Sequence, residues 1–125
     1  MITMGDVIFQ RMGHVAIHVS DVERSVQFYR DILGLKSGWK VEDDWTILTC
    51  GKDDLALIKT GPDVHHPPHL GFRVDSPEQV DAVYERLKGK VKITKGLITH
   101  RDKSRSFYFQ DPDGNQLEVL FDPNR

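Results

Sequence analysis

The sequence predicts an α+β fold of two βαβββ modules, forming an open, cup-shaped mixed sheet with the helices outside. Three observations predict it. Residues 69–89 lie on residues 14–34 without a gap at a constant offset of 55, and His14/His69, Val19/Val74, Glu23/Glu78, Tyr29/Tyr84 and Gly34/Gly89 are identical. In each copy a stretch alternating polar and apolar residues runs into a stretch of helical period that stops at glycine. Three short strand candidates follow each helix. The modules span about 10–60 and 66–122 of a single domain, 1–125, which is long enough for one core and too short for two.

Taken in order, Val15, Ile17 and Val19 alternate with His14, Ala16 and His18 as in a half-buried strand. Ser20-Asp21 offers an N-cap, and Val22, Val26, Tyr29 and Leu33 recur at helical spacing up to Gly34. Strands are expected at about 37–42, 45–50 and 54–59, separated by Glu42-Asp43-Asp44 and Gly51-Lys52-Asp53. Gly61-Pro62 to Pro67-Pro68 reads as the linker. In the second module Ser76-Pro77 supplies an N-cap and a proline at the first helical position. Its later strands are expected at about 91–95, 104–110 and 115–121. The last follows Asp111-Pro112-Asp113-Gly114, a strong turn signal.

Composition narrows the class. With 17 basic and 19 acidic residues the net charge is −2, which points to neither nucleic acid nor a membrane surface. The N-terminus lacks the layout of a signal peptide, and no apolar run would cross a bilayer. A single cysteine, Cys50, fits a reducing cytoplasm and is expected to be a small buried strand residue.

The chemistry concentrates on three residues. Glu118 alternates with Leu117 and Val119, so it sits mid-strand on the face opposite the apolar row. A carboxylate there is costly unless water, a partner charge or a metal satisfies it. His14 and His69 share that face and are equivalent positions of the duplicated unit, so they can converge with Glu118 on one point. A single strand histidine is ordinarily a surface or hydrogen-bonded residue. Two related by a repeat, with a cup-facing carboxylate, make a ligand set for a divalent transition metal, the two-His-one-carboxylate arrangement of non-haem Fe(II) sites. Laying 115–118 on 53–56 sets Ala56 against Glu118, which limits the protein to three ligands.

The stretch from His14 to Gly34, His69-Leu70-Gly71-Phe72 and the Asp-Pro-Asp-Gly ending resemble the vicinal oxygen chelate superfamily, over about residues 12–122. That group includes glyoxalase I, extradiol dioxygenases, fosfomycin-resistance enzymes and bleomycin-binding proteins. His100, Tyr108 and Glu118, spaced around the Asp-Pro-Asp-Gly turn, are most similar to the extradiol dioxygenase pattern. The resemblance implies Fe(II), with Mn(II), Zn(II) or Ni(II) as alternatives, held by His14, His69 and Glu118. It implies Tyr108 and His100 as residues contacting a catechol-like substrate or oxygen, and a homodimer. Well-known extradiol enzymes of this type carry four such modules, whereas this chain carries two. The alternatives are a glyoxalase-like lyase or isomerase, a fosfomycin-resistance-like thiol transferase with Lys59, Arg73, Lys95 and Arg105 as basic candidates, or a drug-binding protein without catalysis. His65 and His66, beside Pro67-Pro68, are expected to be linker or mouth residues. The apolar lead-in Val7-Ile8-Phe9 is expected to cover an edge.

Overall fold

A computed structural model describes residues 14–61 and 69–124. The first module runs β1 (His14–Val19), α1 (Val22–Val26), a π-helical continuation (Gln27–Ile32), β2 (Lys36–Ser37), β3 (Trp45–Cys50) and β4 (Asp53–Lys59). The second runs β5 (Leu70–Arg73), α2 (Pro77–Leu87), β6 (Lys92–Thr99), β7 (Arg105–Gln110) and β8 (Gln116–Phe121). These make two separate four-stranded sheets, β1-β4-β3-β2 and β5-β8-β7-β6, in which only β1–β4 and β5–β8 pair in parallel. The same strand order in both sheets is the duplication made visible.

Local chemistry explains the element ends. The Asp21 carboxylate accepts from the Arg24 backbone N–H at the start of α1, and the Ser76 hydroxyl accepts from Gln79 N–H at the start of α2, ahead of Pro77. Gly34 and Gly89, equivalent in the repeat, take φ of 88° and 85° where each helix stops. A side chain there would be strained, so glycine is the residue that lets the chain turn back to its sheet.

The strand expected at 37–42 is only Lys36–Ser37. Beyond it the backbone is held to β3 by isolated bonds, Gly38 N–H to the Ile47 carbonyl at 2.9 Å and Glu42 N–H to the Trp45 carbonyl at 3.1 Å. The Thr46 hydroxyl takes the Lys40 carbonyl at 3.1 Å, so a side chain replaces the ladder. β6 is longer than expected, continuing to Thr99 through two register shifts against β7. Cys50 is exposed rather than buried, because it closes β3 where Gly51 and Lys52 turn the chain into β4. The residues 62–68 that contain His65 and His66, and the lead-in Val7-Ile8-Phe9, lie outside the described residues.

Both sheets and both helices share one core. Ile17, Leu48 and Leu57 come from the first sheet, Phe107, Phe109 and Leu117 from the second, and Val26, Tyr29, Val80 and Leu87 from the helical segments. Each sheet therefore turns its buried apolar face inward, with the helices on that face, and its other face away from the joint core.

A buried polar node fastens the modules together. Asp111 accepts from Tyr29 Oη at 2.7 Å, Asn115 Nδ2 at 2.8 Å, and the backbone N–H groups of Asp113 and Asn115 at 2.9 and 2.8 Å. Asn115 Nδ2 also reaches the His18 carbonyl at 3.2 Å, and Asp113 accepts from the Ser20 N–H at 3.0 Å. Burial first, then the Asp111 charge, drives the Tyr29 phenol far above its ordinary ionisation range. No described helix is long and apolar enough to cross a membrane.

Tyr29→Phe leaves buried Asp111 one donor short and is expected to cost about 1–3 kcal/mol of unfolding free energy in urea denaturation. The sign with pH is also set. The unfolded phenol ionises near pH 10 while folded Tyr29 stays protonated, so wild-type stability falls as pH rises beyond 10. Tyr29→Phe flattens that alkaline decline.

Candidate metal centre

Glu118 sits at the middle of β8, facing Gly71 on β5 and Tyr108 on β7 across the ladder. Strand alternation sends Leu117 and Val119 into the core and Glu118 the other way, yet Glu118 is only 7% exposed. His69, directly before β5, covers it with Nε2 3.3 Å from Glu118 Oε1. The edge of the His69 ring meets Tyr108, with centroids 5.6 Å apart, and Lys95 Nζ stands 5.5 Å from the centre of the Tyr108 ring. Partial burial, the Glu118 charge and a hydrogen bond with Glu118 raise the Tyr108 phenol above its ordinary range. Two positions before Glu118 on the same face, Gln116 Oε1 is buried with no hydrogen-bond partner among the described residues.

The His69–Glu118 pair fits a divalent cation. Donors about 2.1 Å from one ion and at right angles about it stand about 3.0 Å apart, close to the observed separation. An imidazole nitrogen with a carboxylate oxygen is a donor set suited to Mn, Fe or Zn.

His14 is elsewhere. It opens β1 on the first sheet and lines a cavity of about 410 Å³ with Trp45, Ile47, Asp54 and Ala56. Among the described residues, no three His, Cys, Asp or Glu side chains gather within the chain to hold a metal. The reason lies in the shared core: His14 and Glu118 occupy the faces that their sheets turn away from it. The structure thus brings together His69, Glu118 and Tyr108, and leaves His14 on the other cup.

The strand registers bear on ligand number. Ala16 pairs with Ala56 and its repeat equivalent Gly71 pairs with Glu118, so Ala56 is the structural counterpart of Glu118. His100 Nε2 lies 3.0 Å from Ser106 Oγ, one cup-facing position along β7 from Tyr108. Arg105 is turned to the opposite face, bonding Asp81 of α2 at 2.7 Å and the Thr99 hydroxyl at 2.9 Å, so it does not serve the cup. Sequence reasoning missed the Trp39–Trp45 pair beside His14, whose rings stack with centroids 6.3 Å apart. The signal was available, since these are the two tryptophans of the chain and they flank Glu42-Asp43-Asp44.

Because Glu118 holds up the Tyr108 phenol, Glu118→Gln should return one tyrosine toward ordinary ionisation. Ultraviolet titration of the metal-free protein above pH 9 reads this. An unchanged tyrosine curve would show that Glu118 does not act on Tyr108.

Comparison with known proteins follows the same lines. The family model described as Glyoxalase/Bleomycin resistance protein/Dioxygenase superfamily matches residues 11–119. A metallothiol transferase, FosB of Staphylococcus epidermidis, is 31% identical over 86% of this chain and 79% of its own length. A manganese-dependent 2,3-dihydroxybiphenyl 1,2-dioxygenase of Geobacillus is 27% identical over 90% of this chain, which spans 36% of that enzyme. The crystal structure of the fosfomycin resistance protein FosX from Listeria monocytogenes has the same fold, with TM-score 0.76 at 20% identity over 91% of this chain and 94% of that one. With the duplicated module, the paired sheets and a family match over nearly its whole length, the chain belongs to the Glyoxalase/Bleomycin resistance protein/Dioxygenase superfamily, the vicinal oxygen chelate group.

Proposed function

We propose that this protein is a homodimeric metal-dependent enzyme that transfers a thiol to a small electrophile bearing an oxyanion. In this reading His69 and Glu118 of one chain and His14 of a second copy hold a divalent cation, with Mn(II) the first candidate. The observation that carries it is the His69–Glu118 pair at 3.3 Å, two donors of a site, while His14 stands on an outward face, apart from that pair among the described residues. A two-fold dimer would supply each pair with the other chain's His14 and make two equal sites.

When bound, the ion would act as a Lewis acid on vicinal oxygens of the electrophile. The chain's own residues supply the rest. Ala56, where the sister module has Glu118, keeps the protein ligands to three and leaves room for substrate oxygens. Lys95 brings a cation to the rim at Tyr108, suited to a phosphonate or similar anion. Tyr108, protonated at neutral pH, can donate a hydrogen bond to a substrate oxygen. With an epoxide as electrophile, a carbon–sulfur bond forms as a carbon–oxygen bond opens, and the thiol proton ends on the released oxygen. The likeness to FosB over most of both chains supports the transferase class.

A second reading is ring cleavage of a catechol, supported by Tyr108 beside the pair, His100 along the same strand, and the likeness to the dihydroxybiphenyl dioxygenase.

Two measurements test these readings. Purified protein should retain one metal per chain, and His14→Ala and Glu118→Gln should each lose it. Co-refolding the two variants in equal amounts should restore about a quarter of the wild-type metal, since half the dimers are mixed and each mixed dimer carries one intact site. A site built within one chain restores none. With metal loaded, thiol consumption in the presence of fosfomycin supports transfer, and oxygen uptake with catechols under Fe(II) supports the second reading. Neither activity over both panels overturns the assignment.

A further inference from the structure

The first sheet offers the cup something the second does not: a flat apolar wall. On its outward face stand Trp45, Ile47, Ala56 and Ile58, and they line the cavity of about 410 Å³ that also holds His14. Trp39 extends this wall, its ring within 19° of parallel to that of Trp45. Trp39 is 53% exposed and Ile58 38%, a surface that costs free energy to keep wet.

The wall is built. A Cβ on Gly38 would come within 2.9 Å of Thr49 Cγ2 and 3.2 Å of the Ile47 carbonyl, so the glycine lets the chain lie flat on β3. The buried Thr46 hydroxyl then holds the Lys40 carbonyl at 3.1 Å and the Trp39 carbonyl at 3.4 Å. The backbone is fixed on both sides of the Trp39 ring. A cavity of this size takes a ring and its substituents, with the four apolar residues set beside three charged ones, Asp44, Asp54 and Lys59.

We infer that the substrate carries a flat apolar body, an aromatic ring, which lies on Trp45 and Trp39 while its oxygen-rich head points to His14. This rests on the proposed metal site and goes further by naming the substrate class. Stacking on tryptophan strengthens binding by roughly two- to tenfold over an aliphatic analogue with the same head.

The test compares phenylphosphonate with methylphosphonate on the Mn(II)-loaded wild-type protein. Trp39 and Trp45 are the chain's two tryptophans, so intrinsic fluorescence reports the wall directly. The expected result is binding of the phenyl compound tighter by at least about twofold, with quenching. Trp39→Leu and Trp45→Leu should bring the ratio of affinities towards one, and Trp39→Phe should restore it. Circular dichroism checks that the variants fold. Equal affinities in the wild type, with no quenching, overturn the aromatic body and leave the metal reading standing. Tryptophan variants that turn the dimer into monomers, in size-exclusion runs at fixed concentration, overturn it by showing that the wall is a seam between copies. Metal-loaded protein that binds neither phosphonate overturns the oxyanion reading and this inference with it.

Discussion

The Asp111 carboxylate is the point on which the architecture turns. It is buried, and four donors converge on it: a phenol from the first module, the Asn115 amide and two backbone N–H groups of its own turn. Removing a buried carboxylate from water is expensive, and only a full set of well-directed donors offsets that cost. The set can be filled only when the π-helical turn carrying Tyr29 lies against the Asp-Pro-Asp-Gly turn. The node therefore fixes how the modules meet, with helices and apolar faces inward. That orientation sends the two histidine-bearing faces outward.

Much of this was legible in the sequence, and the limit is instructive. The offset of 55 residues sets His14 against His69 and Gly34 against Gly89, and the paired glycines take nearly equal positive φ. Alternation correctly assigned Glu118 to the face away from Leu117 and Val119, and the registers bear out Ala56 as its counterpart. Periodicity reports which face of its own strand a residue takes. It says nothing about where that face looks once two sheets have joined, which is why convergence of His14, His69 and Glu118 inside one chain is not decidable from spacing. That information sits in long-range polar contacts such as Tyr29 to Asp111, 82 residues apart. Residues 38–42 were misread for a related reason. Their apolar Trp39 and Val41 look like strand alternation, but between the isolated backbone bonds at Gly38 and Glu42 it is the Thr46 hydroxyl that donates to the Lys40 carbonyl.

The two modules differ in a complementary way. The second sheet has a carboxylate and a histidine in contact, with a phenol and an ammonium group around them. The first has the histidine, Ala56 at the position of the carboxylate, and a cavity lined by Trp45, Ile47 and Ile58 together with Asp44, Asp54 and Lys59. A carboxylate at position 56 would add a further like charge to Asp44 and Asp54 in the first cavity, which is unfavourable at short range in a low dielectric.

The difference also changes what the charged half can do. His69 and Glu118 interact with each other and with any bound cation through whatever medium fills the cup. Against open water, two charges a few ångströms apart gain about 1 kcal/mol, and the gain rises severalfold as the effective dielectric falls towards that of protein. The apolar part of the first cavity, Trp45, Ile47 and Ile58, placed opposite in the proposed dimer would exclude water from one side and lower that dielectric. In the proposed dimer, Ala56 and the tryptophans beside it would act together: the aromatic sheet would strengthen the electrostatics of a site whose proposed donors belong mainly to the other sheet.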